Sequence, residues 1–159
     1  MEATERQRVI FVCTHNSARS QMAEGMLRAW GGDRFEAFSA GTEATRVRPE
    51  AIAVMGEIGI DIGGQESKTL EPFMGDAFSW LITVCDQARE SCPIIPGVAQ
   101  QAHWSIEDPS GVEGDEAARL AAFREARDIL RDRIHIFMLA AGRDDLPRPE
   151  PQRVGGAPG

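Results

Sequence analysis

The chain has no tyrosine, only three cysteines and no apolar run long enough to cross a bilayer. Each shortage removes a class of protein. Cys13, Cys85 and Cys92 are too few and too unevenly spaced for the disulfide framework of a small secreted domain. No CxxC pair or histidine cluster accompanies them, so a structural zinc site has little to stand on and no metal is expected. The first residues, Met1 to Arg6, lack the hydrophobic centre of a signal peptide, which makes the cytoplasm the expected location. Positive charge is also short. Seventeen Lys and Arg against 25 Asp and Glu give a formal charge of −8, which argues against nucleic acid or an acidic membrane as partner. An anion site in this chain has to be built locally.

What is present suits one globular domain. The 159 residues are 42% apolar, enough for a core that needs no staples. Val9 to Val12 is a β-branched and aromatic run ending at Cys13. After a short polar loop, Met22, Met26, Leu27 and Trp30 recur at helical spacing from Arg19 onward. Phe35 to Ala40 reads as a second strand, and Pro49 opens a helix with Ile52 and Met55 facing inward. Lys68 to Phe78 suggests a short helix or two turns. Trp80 to Val84 is a buried-type strand that delivers Cys85, Asp86 to Ala99 is a loop with three breakers, and Gln101 to Ser105 is a short fourth strand. Acidic residues from Glu113 lead into a long helix through Met138, with Gly142 as a plausible cap. The domain is expected over residues 1–146, with a disordered Pro- and Gly-rich tail over 147–159.

Strands alternating with helices predict an α/β fold, a parallel sheet with helices on both faces, and a site beyond the carboxyl ends of the strands. Cys13, Cys85 and Asp108 all follow predicted strands, so they can converge there. The loop Thr14, His15, Asn16, Ser17, Ala18, Arg19, Ser20 carries the clearest chemistry. A cysteine is a nucleophile as its thiolate, a form favoured by a helix N-terminus and a guanidinium. The Arg19 fork suits a tetrahedral oxyanion, the Ser17 and Ser20 hydroxyls can donate to the sulfur or the anion, and Asn16 tolerates an unusual backbone angle. The loop lacks the glycines and Lys-Ser/Thr ending of a nucleotide P-loop. Taken alone, Asp-Pro-Ser-Gly at 108–111 is a turn, and Cys85 and Cys92 are compatible with packing as much as with redox chemistry.

The spacing Cys13-(x5)-Arg19-Ser20 resembles the opening of the low-molecular-weight protein tyrosine phosphatase superfamily. The longer strings CTHNSARSQMAEG, SAG at 39–41, CDQARESCPIIPG and HWSIEDPSG resemble its thioredoxin-coupled arsenate reductase branch, over about residues 9 to 133. The resemblance implies a single-domain three-layer αβα sandwich with a four-stranded parallel sheet. It implies arsenate reduction by a relay in which Cys13 attacks arsenate, Cys85 attacks Cys13 as arsenite leaves, and Cys92 attacks Cys85. Thioredoxin then reduces the Cys85–Cys92 disulfide. Asp108 takes the family's general-acid place, with Glu107 as its neighbour and fallback. No tightly bound cofactor is implied; phosphate or sulfate are further anions the loop could hold, and a monomer is expected.

Departures from the family pattern matter too. Ala18 stands where some members have an extra cysteine. Lys68 stands where some have an aspartate that helps residues like Asn16, Glu24 and Ser39 to bind potassium. Its ammonium could take the cation's place near Glu24, so no potassium site is expected. Asp-Pro-Ser, in a chain without tyrosine, differs from the Asp-Pro-Tyr of the phosphatase branch and favours a small inorganic oxyanion. Two alternatives stay open: a low-molecular-weight phosphomonoester or protein tyrosine phosphatase, and a non-catalytic anion-binding or redox-sensing protein.

Overall fold

The computed structural model describes residues 6–84 and 97–141; Cys85, Cys92, Gly142 and the tail expected over 147–159 lie outside the described residues. Four strands form one parallel sheet: β1 (Gln7–Cys13), β2 (Phe35–Gly41), β3 (Phe78–Thr83) and β4 (Val98–His103), in the order β2-β1-β3-β4. Helices α1 (Arg19–Gly31), α2 (Pro49–Gly56) and α3 (Glu116–Ala141) complete the sandwich, with single 3-10 turns at Glu71–Phe73 and Pro109–Gly111. Val9, Ile10, Phe11 and Val12 are all fully buried. An inner strand of a parallel sheet is covered on both faces and needs such an unbroken apolar run.

The core holds two ring clusters. Phe137 of α3 meets Phe35 and Trp80 at 5.4 Å and Trp104 at 6.2 Å between centroids, and Trp104 also meets Phe11. A second cluster joins Phe38, Phe73 and Phe78 edge-on, with the Arg8 guanidinium 4.7 Å from the Phe38 ring centre and 4.8 Å from that of Phe78. Helix α2 is pinned to α3 by Glu57, which accepts two hydrogen bonds from Arg124 Nε and one from Arg124 Nη2, while Arg127 Nη1 bonds both Glu57 Oε1 and the Val54 carbonyl at the end of α2.

Two strand boundaries differ from the sequence expectation. β3 runs Phe78–Thr83, starting two residues before Trp80, and β4 runs Val98–His103, starting three residues before Gln101. Strand β4 lies at the sheet's end and is only partly buried, so Gln100 and Gln101 interrupt the apolar pattern that marks an inner strand. Of the short helix or two turns expected over Lys68 to Phe78, the structure has turns, a 3-10 one at Glu71–Phe73 followed by Asp76 N on Phe73 O. Helix α3 begins at Glu116, where Gly114 takes φ +132° and the Asp115 carboxylate accepts from Ala118 N as a cap. Among the described residues, no helix is long and apolar enough to cross a membrane.

Candidate functional site

All four strands point the same way, so their carboxyl ends share one edge. Cys13 ends β1 beside Gly41 of β2, and Val84 follows β3 with its N–H on Val12 O. Trp104 follows β4 with its N–H on Thr83 O, and the chain then runs to Asp108. The parallel topology therefore brings Cys13 and Asp108 to one rim, as their positions after strands predict.

The loop between β1 and α1 is buried and pinned. Cys13 is a free thiol with 2% exposure, and Asn16, Ser20 and Gln21 are fully buried. Asn16 adopts φ +50°, a left-handed conformation that an asparagine tolerates when its side chain is tied down. It is tied thoroughly: Nδ2 donates to Ser20 Oγ at 2.8 Å, and Oδ1 accepts from Gln21 Nε2 at 2.9 Å and from Lys68 N at 2.7 Å. Ser20 Oγ lies 2.9 Å from Cys13 Sγ. Asn16 donates to that oxygen, so the Ser20 hydroxyl can offer its own hydrogen to the sulfur.

Neighbouring segments hold the rest of the loop through its carbonyls. Thr14 O accepts from Glu43 N and Thr42 Oγ1, His15 O accepts from Ser67 Oγ and Thr45 Oγ1, and Ser17 O accepts from Arg48 N. Gly41 is where β2 comes closest. A Cβ there would stand 2.8 Å from Asn16 N and Thr14 O and 2.7 Å from Glu43 O, so only glycine fits. Ala18 is the residue before α1, and no side chain caps the helix. A helix start that lacks a cap and opens on a cysteine suits an anion, which would satisfy its amide donors in place of a cap.

Arg19 and Asp108 form the opposite wall. Arg19 is 9% exposed; its Nη1 donates to Ile106 O at 2.8 Å and its Nη2 lies 3.5 Å from Asp108 Oδ2. One guanidinium thus links the anion loop to the segment carrying the acid. Asp108 is half-buried, and Ser110 N and Oγ both donate to Oδ1, at 2.9 and 2.7 Å. Partial burial works to raise the Asp108 carboxyl. The two Ser110 hydrogen bonds and the charges of Arg19 and His15 outweigh it and hold the group below the usual aspartate value. His15 itself is half-exposed, with Nε2 3.9 Å from Glu43 Oε1.

Beside the loop, the buried Glu24 carboxylate accepts from Ser39 Oγ and Arg28, and Lys68 Nζ stands 3.8 Å from Glu24 Oε1. The closeness of Lys68 to Glu24 expected from the sequence is thus present. Arg48 holds the loop through its backbone N–H, which donates to Ser17 O, while its Nε faces Glu50 Oε1 at 3.6 Å. Among the described residues, no group of three His, Cys, Asp or Glu side chains could hold a metal ion.

Structure and sequence agree on bringing Cys13, the loop 14–20, Arg19 and Asp108 together; Cys85 and Cys92 fall outside the described residues. Ser110, Gln21, Gln65 and the Ile106 carbonyl are further participants that the sequence did not single out. Ser110 was findable, because Asp-Pro-Ser is an Asx-type turn in which the aspartate bonds backbone two residues on. Gln65 was not, since nothing local connects it to a loop 44 residues away.

The sequence pattern of the low molecular weight phosphotyrosine protein phosphatase family matches residues 8–146. The chain is 40% identical over 129 residues to an arsenate reductase of Halalkalibacterium halodurans, covering 81% of this chain and 93% of the relative. It is 36% identical over 133 residues to one of Bacillus subtilis, covering 84% and 96%. A solved arsenate reductase in a phosphate-binding state superposes with a TM-score of 0.73 at 36% identity, covering 84% of this chain and 97% of that one. A low molecular weight protein tyrosine phosphatase from T. tengcongensis superposes at 0.69 with 26% identity, covering 84% and 98%.

Proposed function

The chain belongs to the low molecular weight phosphotyrosine protein phosphatase family, and within it we propose an arsenate reductase whose first station is Cys13. Its curated relatives at 36–40% identity are arsenate reductases over nearly their whole length. The observation that carries the reading is the placement of Cys13 Sγ at the loop floor, 2.9 Å from Ser20 Oγ, with Arg19 bridging to Asp108.

Arsenate enters the loop over residues 14–20, and Arg19 and the start of α1 neutralise its charge. In the empty site Asp108 is ionised at neutral pH, since its carboxyl sits below the usual value. The arriving anion opposes that negative charge and favours the protonated acid. Arsenate is present near neutrality in part as its singly charged form with two protons; one stays on the oxygen that departs and the other can pass to Asp108 Oδ2. Cys13 thiolate attacks arsenic, an As–O bond breaks, and the proton on Asp108 leaves with that oxygen as water. Cys85 thiolate then attacks Cys13 Sγ. The Cys13–Cys85 bond forms, the S–As electron pair stays on arsenic, and arsenite departs. Cys92 attacks Cys85 and frees Cys13 as thiolate; thioredoxin dithiol reduces the resulting Cys85–Cys92 disulfide.

Cys13, Arg19 and Asp108 alone would suffice for phosphomonoester hydrolysis, which a single cysteine can carry through a thiol–phosphate intermediate. The deciding assay follows NADPH oxidation with thioredoxin, thioredoxin reductase and arsenate. The reductase reading expects coupled oxidation that disappears in Cys13→Ser, Cys85→Ser and Cys92→Ser. Phosphoester turnover that survives the last two substitutions, without arsenite production by the wild type, would establish a phosphatase instead.

A further inference from the structure

Behind the anion loop, four hydrogen bonds run in one direction from a surface cation to Ser20 Oγ, and a fifth joins that oxygen to the sulfur. Arg28 Nη1 donates to Gln65 Oε1 at 2.9 Å, Gln65 Nε2 to Gln21 Oε1 at 2.7 Å, Gln21 Nε2 to Asn16 Oδ1 at 2.9 Å, Asn16 Nδ2 to Ser20 Oγ at 2.8 Å, and Ser20 Oγ meets Cys13 Sγ at 2.9 Å. Each amide accepts at one end and donates at the other. Amide orientation usually has to be inferred from the network, and here backbone groups fix it for each of the three amides. Lys68 N can only donate, so the Asn16 atom it meets is the oxygen. The Asn16 and Glu66 carbonyls can only accept, so the Gln21 atom they meet is the nitrogen. The Gln21 carbonyl settles Gln65 in the same way, and Arg28 has no acceptor to offer.

From this chain we propose that Gln21 and Gln65 are positioning residues for the nucleophile, locking the donor polarity of Asn16 and Ser20 toward Cys13 Sγ. A turned Gln21 amide would set two oxygens against each other at Asn16 Oδ1. If Asn16 turned in response, it would present an oxygen to Ser20, the hydroxyl hydrogen would go there, and the sulfur would lose its donor. Gln65 stops that sequence at its outer end by donating to Gln21 Oε1. Aligned hydrogen bonds also polarise one another, so each link strengthens the next. Arg28 shares its charge with Glu24, so orientation and not net charge is what the chain transmits.

The proposal rests on Cys13 being the nucleophile, and the test separates the two. In a full-length chain carrying Cys85→Ser and Cys92→Ser, iodoacetamide alkylation of Cys13 is followed as a function of pH, alone and with Gln65→Met or Gln65→Glu added. Gln65→Met keeps the bulk and removes the donor; it should slow alkylation at neutral pH roughly threefold, the scale of one weak net hydrogen bond, and move the rate–pH curve to higher pH. Gln65→Glu keeps the contact with Arg28 but can only accept from Gln21, and should move the curve at least as far. It carries the test if the Met variant does not fold. Rate–pH curves superimposable on the parent's, in variants whose urea midpoints show them folded, would overturn the proposal while leaving the nucleophile in place. A parent chain in which Cys13 alkylates no faster than a free thiol would instead overturn the nucleophile reading.

Discussion

Two polar clusters in this molecule use similar groups for opposite ends. Around Asn16 the amides and hydroxyls are fully buried, and the loop they hold sits in an otherwise unfavourable backbone conformation. Around Glu57 a carboxylate and Arg124 face solvent, and with Arg127 beneath them they join two helices that already pack through apolar side chains. In the interior, an unmade hydrogen bond costs the full desolvation of the abandoned group. At the surface, water replaces whatever is lost. The buried cluster therefore fixes a geometry, and the exposed one adds a pH-dependent clasp. Asp108, half-exposed and held by Ser110 and Arg19, stands between them.

If that contrast is right, substitutions should grade in the same order. The largest effect belongs to Cys13→Ser, which should abolish arsenite formation while the urea midpoint stays close to wild type, since a hydroxyl can still meet Ser20. Next, Asp108→Asn should slow turnover by roughly 100-fold, the usual worth of a positioned acid, measured as initial rates under saturating arsenate. Because it also removes a negative charge beside Arg19, arsenate should bind no more weakly; a rate loss that appears wholly in KM would contradict the acid role.

Asn16→Ala tests the buried cluster itself. It strands Ser20, Gln21 and the Lys68 N–H together and should lower stability by about 2 kcal/mol or more, read from urea denaturation, with a parallel loss of activity. An effect no larger than that of Glu57→Gln at neutral pH would erase the distinction between the clusters. The smallest effect is expected at Glu57. Hydrogen bonds from Arg124 and then Arg127 hold its carboxyl down from 4.5 to about 2. A lowered folded-state value means stability that is complete above 4.5 and is lost as pH falls from 4.5 toward 2. Glu57→Gln should flatten the acid side of a stability–pH curve over that window and leave neutral activity unchanged.

How much of this was legible beforehand depended on distance along the chain. The strand, the loop from Cys13 to Ser20 and α1 are contiguous, so hydrophobic period and residue chemistry pointed to the same answer. Asp108 came into view through the logic of parallel strands and the family strings together, since its own turn would have suited any loop. Lys68 came into view only through the family pattern, and Gln65 and Ser67 could not be read, because they reach Gln21 and His15 across 44 and 52 residues and carry no periodic signal. Strand β4 was misplaced for a related reason: an end strand lacks the apolar run that identifies its inner neighbours. The Glu57 clasp depends on the angle between α2 and α3, which no local pattern encodes.

Gly41 bears on any attempt to move this chemistry elsewhere. The Cys13-to-Ser20 segment looks portable, a short insert to graft between a strand and a helix of another parallel sheet. Its curvature, however, occupies space that the adjacent strand has vacated by ending in a residue without a Cβ. A recipient scaffold would have to supply that gap on the neighbouring strand, in register with the cysteine, before the grafted loop could close.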